Sequence, residues 1–355
     1  RYPLVTGVQT CALPISRRIL VTGASGFIGS NLARWLAESG HDVTCLLRPT
    51  SSDRALEGVP ASLVRGQLSD YESMIAAVRG TEVVFHAAGC LWTPRFSDFY
   101  RVNREGTRSL LRACSQTDRP PVVVFVSSIA AAGASPPDRP RVESDPPTPV
   151  SHYGRSKLAA ELIAREFAHA VPVTVVRPPI VLGEGDRSGL AMFKAIARFG
   201  RHFVPGRKPQ RYSIVHVRDL TEALALAAER GARIAPCGTP TAETDGRGIY
   251  FVADDEAPTY ADLGTVIGQA LGRKKTRIVR MPMPLVRAAA VGVHISMWIR
   301  GKGAFLNLDK LDEIAAGSWV CSAEKARAEL GFRTGASLAE RLEQTIAWYR
   351  RAGWL

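Results

Sequence analysis

Tyr153 and Lys157 stand four residues apart in a segment, Tyr153 to His169, whose apolar spacing predicts a helix. At that spacing the two side chains share one helix face. An ammonium beside a phenol lowers the phenol's pKa from its reference value of about 10, which lets Tyr153 exchange a proton with a substrate hydroxyl or carbonyl near neutral pH. A second set of residues suggests what accompanies that proton. Gly23, Gly26 and Gly29 lie in Val21-Thr22-Gly23-Ala24-Ser25-Gly26-Phe27-Ile28-Gly29, between the apolar run Ile19–Val21 and the amphipathic segment Ser30–Glu38. That is where a strand turns into a helix, and where backbone N–H groups and the helix dipole hold a phosphate. The first glycine permits a tight turn, the second a close backbone approach to a pyrophosphate, and the third close packing of helix on strand. The alternative is a tight turn that binds nothing.

The elements that must position these residues alternate in type. Strand patterns occur at Arg18–Thr22, Asp42–Leu47, Ser62–Gly66, Glu82–His86, Pro121–Ser127 and Val173–Arg177, with helical patterns at Tyr71–Arg79, Phe96–Cys114 and Tyr153–His169 between them. This is the signature of βαβ units and a parallel sheet. Ser135–Pro149 contains six prolines and reads as a loop. Beyond Pro178 the rhythm changes: a helix at Gly189–Phe199, a strand at Tyr212–Val217, a helix at Asp219–Glu229, a strand at Gly248–Val252, and mainly helix from Tyr260 onward. Cofactor choice is read after the second strand, where NAD-specific enzymes place an acid and an arginine accommodates the 2′-phosphate of NADP. Here Leu47-Arg48-Pro49-Thr50-Ser51-Ser52 holds no acid before Asp53, so Arg48 favours NADP(H). NAD(H) with Arg48 stacked on adenine is the alternative. His86 reads as a satisfied core histidine in preference to an acid–base group.

Thr22-Gly23-x-x-Gly26-Phe27-Ile28-Gly29 resembles the extended short-chain dehydrogenase/reductase superfamily, that of the NAD-dependent epimerases and dehydratases, over about residues 17–355. The resemblance implies an α/β fold: a Rossmann-type doubly wound parallel sheet with a smaller, mainly helical C-terminal substrate domain. It implies dinucleotide binding by 17–180, with 212–255 returning to that domain, and substrate binding by 181–211 and 256–355. Cofactor contacts carried over are Gly23, Ser25, Gly26, Phe27, Ile28 and Gly29 in the turn, with Gln67 and Leu68 by adenine, where Gln67 replaces the family's Asp. His86, Ala87 and Ala88 follow strand four, Ser127 ends strand five, and Tyr153 and Lys157 reach the cofactor from their helix. Arg177, Pro178 and Ile180 lie in the segment beside the nicotinamide. A strand-five hydroxyl orients the reacting oxygen in this family. Ser128 fits best because Gly133 follows five residues later, with Ser127 the runner-up. Asn103 supports a Lys157–water relay or else packs its helix, and Asp219 reads as a helix cap tying the domains together, with substrate contact the alternative.

The implied activity is hydride transfer between a nicotinamide and the carbonyl or secondary alcohol of a small or lipophilic substrate. Ser128, Tyr153, Lys157 and Asn103 carry it. Ile129 and Ala130 stand where the dehydratases resemble one another in an acidic pair, which argues against that reaction. Pro178 and Pro179 place the chain nearer the dihydroflavonol reductase and 3β-hydroxysteroid dehydrogenase branch. A sugar or sugar-nucleotide epimerase is the alternative, and a non-catalytic dinucleotide-binding protein a minor one.

Composition limits the other classes. The chain of 355 residues carries a net charge of +13, but its basic residues are scattered and the one cluster, Arg273–Arg277, suits a solvated loop better than a nucleic-acid patch. The expected partner is a small molecule, with no nucleic acid, and a homodimer is a further expectation. Six dispersed cysteines form no Cys-x-x-Cys pair, so no metal site is expected and a reducing cytoplasm fits. The longest apolar stretch, Met281–Trp298, is interrupted by Arg287 and His294. It predicts a core or cleft-covering helix rather than a membrane span, with interfacial membrane contact as the alternative. Residues 1–16, in which Val5-Thr6-Gly7 imitates the strand end at Val21-Thr22-Gly23, read as the in-frame translation of a sequencing adaptor and are set aside.

Overall fold

Unbroken apolar runs such as Val122–Val126 suit strands covered on both faces, and a parallel sheet between helix layers provides that cover. The computed structural model describes residues 16–136, 138–239, 245–301, 304 and 306–355; of the adaptor-like stretch 1–16, all but Ser16 lies outside the described residues. In chain order the strands are β1 (Arg18–Thr22), β2 (Asp42–Leu47), β3 (Ser62–Arg65), β4 (Val83–His86), β5 (Val122–Val126), β6 (Val173–Arg177), β7 (Ile180–Leu182), β8 (Arg201–Pro205), β9 (Ile214–His216), β10 (Ile249–Phe251) and β11 (Arg277–Met281). The α-helices are α1 (Phe27–Glu38), α2 (Tyr71–Val78), α3 (Phe96–Phe99), α4 (Gly106–Ser115), α5 (Ile129–Ala132), α6 (His152–Phe167), α7 (Leu190–Phe199), α8 (Val217–Arg230), α9 (Tyr260–Ala270), α10 (Met283–Arg300), α11 (Leu308–Ala315) and α12 (Leu338–Arg351). A π-helical stretch, Tyr100–Glu105, joins α3 to α4.

Seven parallel strands form the main sheet in the order β10-β6-β5-β4-β1-β2-β3. The chain leaves β1 in one direction for β2 and β3, then returns to lay β4, β5 and β6 on the other side. The order therefore reverses between β1 and β4, and the crevice outside the carboxyl ends of those strands is where such sheets bind ligands. Alternate strand residues bury on opposite faces. Val21, Phe85 and Val124 pack with Leu32 and Leu36 of α1 and Leu224 of α8, while Leu20, Val84 and Phe125 pack with Met74 of α2, Leu110 of α4 and Ile163 of α6.

The six strands predicted in the first half form within a residue of their expected bounds at each end. Farther on, β9 pairs with β7 and β10 joins the main sheet beside β6. Sequence patterning missed β7, β8 and β11. They are short, and β11 falls in a stretch expected to be mainly helical, where Ile278 and Val279 are the only apolar pair amid Arg and Lys. β8 and β11 pair in parallel, and α7, α9 and α12 share a separate core around Phe193, Ile267 and Tyr349. α10 packs on α11 through Val286, Ala290 and Leu311. It is not a core helix, because Leu285, Ile295, Trp298 and Ile299 stay exposed.

Candidate active site

At the β1–α1 turn Gly23 adopts φ +73°, and a Cβ there would lie 2.6 Å from the Ala88 nitrogen and 2.7 Å from the Ala87 carbonyl carbon. Only glycine lets the turns after β1 and β4 approach this closely. A Cβ at Gly29 would lie 2.3 Å from the Gly23 carbonyl oxygen, the helix-on-strand packing that the spacing predicts. Gly26 is the N-cap of α1 and offers no side chain to its first-turn N–H groups. Ser25 is half-buried, Ile28 packs on the core, and the Phe27 carbonyl accepts from Asn31 Nδ2 at 2.9 Å. Asn31 Nδ2 also donates to the Glu184 carbonyl at 2.9 Å, pinning α1 to the loop after β7. Sequence reasoning did not find Asn31.

Arg48 is exposed at the end of β2, and its Nε donates to Ser51 Oγ at 3.2 Å. Arg65 donates to the Ser51 carbonyl at 2.6 Å and pairs with Asp53 at 3.1 Å. The first acid after β2 is thus answered by a cation. Gln67 is exposed. Leu68 rests on Gly106, where a Cβ would lie 2.8 Å from Leu68 Cδ1.

At the other end, Ser128 follows β5 in extended conformation and caps α5, its Oγ accepting from the Ala130 nitrogen at 3.1 Å. The Ser128 hydroxyl faces the Tyr153 phenol closely enough to favour its ionised form. Gly154 makes this approach possible, since a Cβ there would lie 2.3 Å from the Ala130 carbonyl oxygen. The first turn of α6 is held by two carboxylates from α11. Asp309 accepts from the backbone nitrogens of His152 at 2.6 Å and Tyr153 at 3.1 Å. Glu313 accepts from the hydroxyl of the N-cap Ser151 at 2.8 Å. Acids suit a helix N-terminus because they meet unpaired N–H groups and the positive end of the dipole. Sequence reasoning missed Ser151, Asp309 and Glu313, and the Ser151 N-cap position just before the helical pattern was the only local signal.

Lys157 is buried; its Nζ donates to the Val126 carbonyl at 2.7 Å and lies 4.4 Å from the centre of the Phe125 ring. Burial lowers its pKa to about 8, opposed by the charge of Glu161. The expected lowering of the Tyr153 pKa is not found. Burial raises the phenol above its ordinary range, and the facing Ser128 hydroxyl acts only partly against this. The reason is geometric: Lys157 directs its charge at the end of β5 rather than at the phenol.

Several predicted residues have their side chains engaged elsewhere. Ser127, next to Ser128 on an extended strand, points to the opposite side and donates to the buried Glu161 carboxylate. Arg177 pairs with the same carboxylate, its Nη2 2.5 Å from Oε2 and its Nε 3.0 Å from Oε1, and neither partner is exposed. Those side chains belong to the packing beneath the site rather than to its surface. The Pro178 carbonyl accepts from the Ile129 nitrogen at 2.9 Å, tying the end of β6 to α5, and Ile180 opens β7. His86 bonds Thr22 Oγ1 at 2.8 Å and Thr107 Oγ1 at 3.0 Å. Burial, with the nearby charge of Lys157, lowers its pKa to about 3, so it is a neutral core histidine. Asn103 spends its amide on Cys90 and Ser156, accepting from the Cys90 nitrogen at 2.7 Å and donating to the Cys90 carbonyl at 3.1 Å and Ser156 Oγ at 2.8 Å. It clips the loop after β4 to α6, the packing alternative to a relay. Asp219 is not a cap: His216 caps α8, and the Asp219 carboxylate pairs with Arg341 of α12 and accepts from the Gly335 nitrogen.

Comparison with known proteins places this geometry. Residues 19–238 match the NAD dependent epimerase/dehydratase family. The chain is similar to a ceramide reductase of Caulobacter vibrioides, 27% identical over 95% of this chain and 96% of the relative. It is also similar to the 4-hydroxy-2-methyl-3-oxo-4-farnesyl-3,4-dihydroquinoline-1-oxide ketoreductase of Stigmatella aurantiaca, 30% identical over 79% of this chain and 80% of that one. Among solved structures, MoeE5 in complex with UDP-glucose and NAD superposes with a TM-score of 0.69 at 25% identity, covering 94% of this chain and 99% of that one.

Proposed function

The chain belongs to the NAD dependent epimerase/dehydratase family and is an NAD(P)-dependent enzyme of the extended short-chain dehydrogenase/reductase type; on that premise we propose that it moves hydride between a nicotinamide and the carbonyl or secondary alcohol of a lipophilic substrate. The observation that carries this reading is the Tyr153 phenol facing the Ser128 hydroxyl at the end of β5, with Lys157 one turn along the same helix. The glycine turn fits a dinucleotide: a Cβ at Gly23 or Gly29 would strike backbone, and the first turn of α1 has no side-chain cap. Gly23, Ser25, Gly26, Ala87 and Ala88 would hold the pyrophosphate and Lys157 the ribose hydroxyls. When bound, the nicotinamide supplies or accepts the hydride.

In the carbonyl-reducing direction Tyr153 gives its phenolic proton to the substrate oxygen while Ser128 holds that oxygen. Burial keeps the phenol protonated, the state from which it donates. Lys157, its pKa lowered by burial to about 8, lies one turn along the helix with its ammonium on the Val126 carbonyl, where it would hold the ribose rather than the phenol. We assign NADPH as the preferred donor, because Arg48 is exposed and bonded to the neutral Ser51 hydroxyl, so that its charge can meet a 2′-phosphate, while Arg65 answers the Asp53 carboxylate. Dinucleotide binding falls to 17–180 with 212–255, and substrate binding to 181–211 and 256–355.

The lipophilic substrate class rests on two supports. Ile129, Ala130 and Ala131 present a buried apolar turn next to Ser128, and the names of the two relatives specify a ceramide and a farnesyl-bearing quinoline. The UDP-glucose held by MoeE5 keeps a sugar-nucleotide epimerase as the second reading. Titration with NADPH and NADH, followed by an absorbance screen of long-chain ketones, alcohols and UDP-sugars, tests the choice. Tighter NADPH binding and turnover of a long-chain ketone are expected. Tighter NADH binding overturns the Arg48 assignment, and epimerised UDP-sugar with no ketone reduced overturns the reaction.

A further inference from the structure

α10 has apolar residues around its whole circumference, interrupted by Arg287, His294, Ser296 and Arg300, a composition nearer that of a buried helix than of a surface one. Only one side of it is covered. Val286, Ala290 and Met297 are buried, at 5%, 0% and 2% exposure, whereas Leu285 is 59%, Ile295 54%, Trp298 53% and Ile299 81% exposed. At about 100° per residue the exposed apolar residues form one continuous face opposite the buried stripe, with Arg287 at one edge and Arg300 at the other. The 18 residues of α10 include no acid. Among the described residues no helix is long and apolar enough to cross a membrane.

We propose that this face of α10 docks on an anionic bilayer surface, lying in the interface without spanning it. Charge selects this occupant over a second copy of the chain. Two such faces packed together would bring four arginines into one interface with no acid on either helix to answer them, whereas an anionic headgroup layer answers each arginine. The pattern of an apolar face edged by arginines, with a tryptophan at the boundary, is that of an interfacial helix. Arg95, in the loop before α3, lies 5.7 Å from the Trp298 ring centre, so the same surface continues toward the site.

The position of α10 gives docking a purpose, and that purpose rests on the lipophilic-substrate reading. Phe96 stacks on His152 at 4.3 Å between ring centres, and His294 of α10 tilts onto Phe96 at 5.9 Å. A cavity of about 230 Å³ lies between Arg287 of α10, Leu308, Asp309, Leu311 and Asp312 of α11, Phe96, and His152, the residue before Tyr153. A helix resting in the headgroup layer would set this cavity beside the membrane, where a lipophilic ketone is concentrated.

The test is flotation of the full chain with vesicles of phosphatidylcholine alone and of phosphatidylcholine with phosphatidylglycerol. Binding to the anionic vesicles is expected. The double variant Ile295→Glu, Ile299→Glu should bind them roughly tenfold more weakly or worse, and Arg300→Gln roughly fivefold more weakly. Circular dichroism of these surface variants should match the parent. Equal binding by parent and double variant, or no binding by the parent, overturns the proposal. A parent dimer that the double variant splits into monomers in sedimentation also overturns it, assigning the face to a second copy. Vesicle binding is read without turnover, so its failure and the failure of the ketone screen are separate results.

Discussion

The two ends of the site are built by different means. The nucleotide end is backbone: Gly23, Gly26 and Gly29 within seven residues, closed by Ala87 and Ala88, with geometry fixed by where a Cβ cannot go. The catalytic end is side chains held by other side chains. Tyr153 takes its place from Gly154 beneath it and from Asp309, a residue 156 positions later in the chain. A local spacing therefore specifies the first end, while the second exists only once the C-terminal helices have docked.

Substitutions should separate the two. Tyr153→Phe should lower kcat by roughly 10³-fold while leaving NADPH affinity by fluorescence titration near the parent value; an equal loss of affinity would merge the two ends. Ser128→Ala should cost roughly 10²-fold in kcat. Ser127→Ala should leave kcat within about twofold but lower stability to urea by about 1–3 kcal/mol, since it strips a partner from the buried Glu161 carboxylate. Matching kinetic effects at the two serines would refute the assignment of opposite faces. Gly29→Ala should destabilise by about 1–3 kcal/mol through overlap with the Gly23 carbonyl, and weaken NADPH more than it slows chemistry at saturation. Asp309→Asn keeps the shape but turns an amide toward a backbone N–H, so kcat should fall roughly tenfold with NADPH affinity unchanged.

A further effect is in pH. His86 has an ordinary pKa of 6.5 when exposed and about 3 when folded, so below 6.5 the unfolded chain binds the extra proton. Its contribution to stability is present above pH 6.5 and is lost as pH falls toward 3, at up to about 1.4 kcal/mol per pH unit. Urea titrations of the parent and His86→Gln should differ in slope over that window, and parallel curves would show that another group carries the acid sensitivity.

What the sequence made legible follows the same division. The glycine turn, the first six strands and the Tyr153–Lys157 pair each announce themselves by spacing within a few residues. The choice between Ser127 and Ser128 rests on strand alternation at the end of β5, which the residue types alone do not fix. Arg177 looked like a cofactor contact because nothing local reveals that Glu161, sixteen residues earlier, faces it in the core. Lys157 lies on the predicted helix face, yet the Val126 carbonyl draws it from the phenol. The α10 helix was readable as a helix, but its apolar residues do not say which of them the rest of the chain covers.

The π-helical stretch Tyr100–Glu105 implies an unequal tolerance to genetic change. Its i→i+5 bonding accommodates one residue more per turn than an α-helix, and the widened turn is where Asn103 meets Cys90 and Ser156. Many exchanges of residue type at Arg101 or Arg104, which face solvent, leave that geometry standing. Deleting one residue there would close the bulge to α spacing and leave Thr107 and the apolar side of α4 near their present faces, at the expense of the widened turn that aims Asn103, whereas a deletion within regular α4 would turn everything after it by about 100°. A library of single-residue deletions should therefore find this segment more tolerant than the regular helices on either side of it.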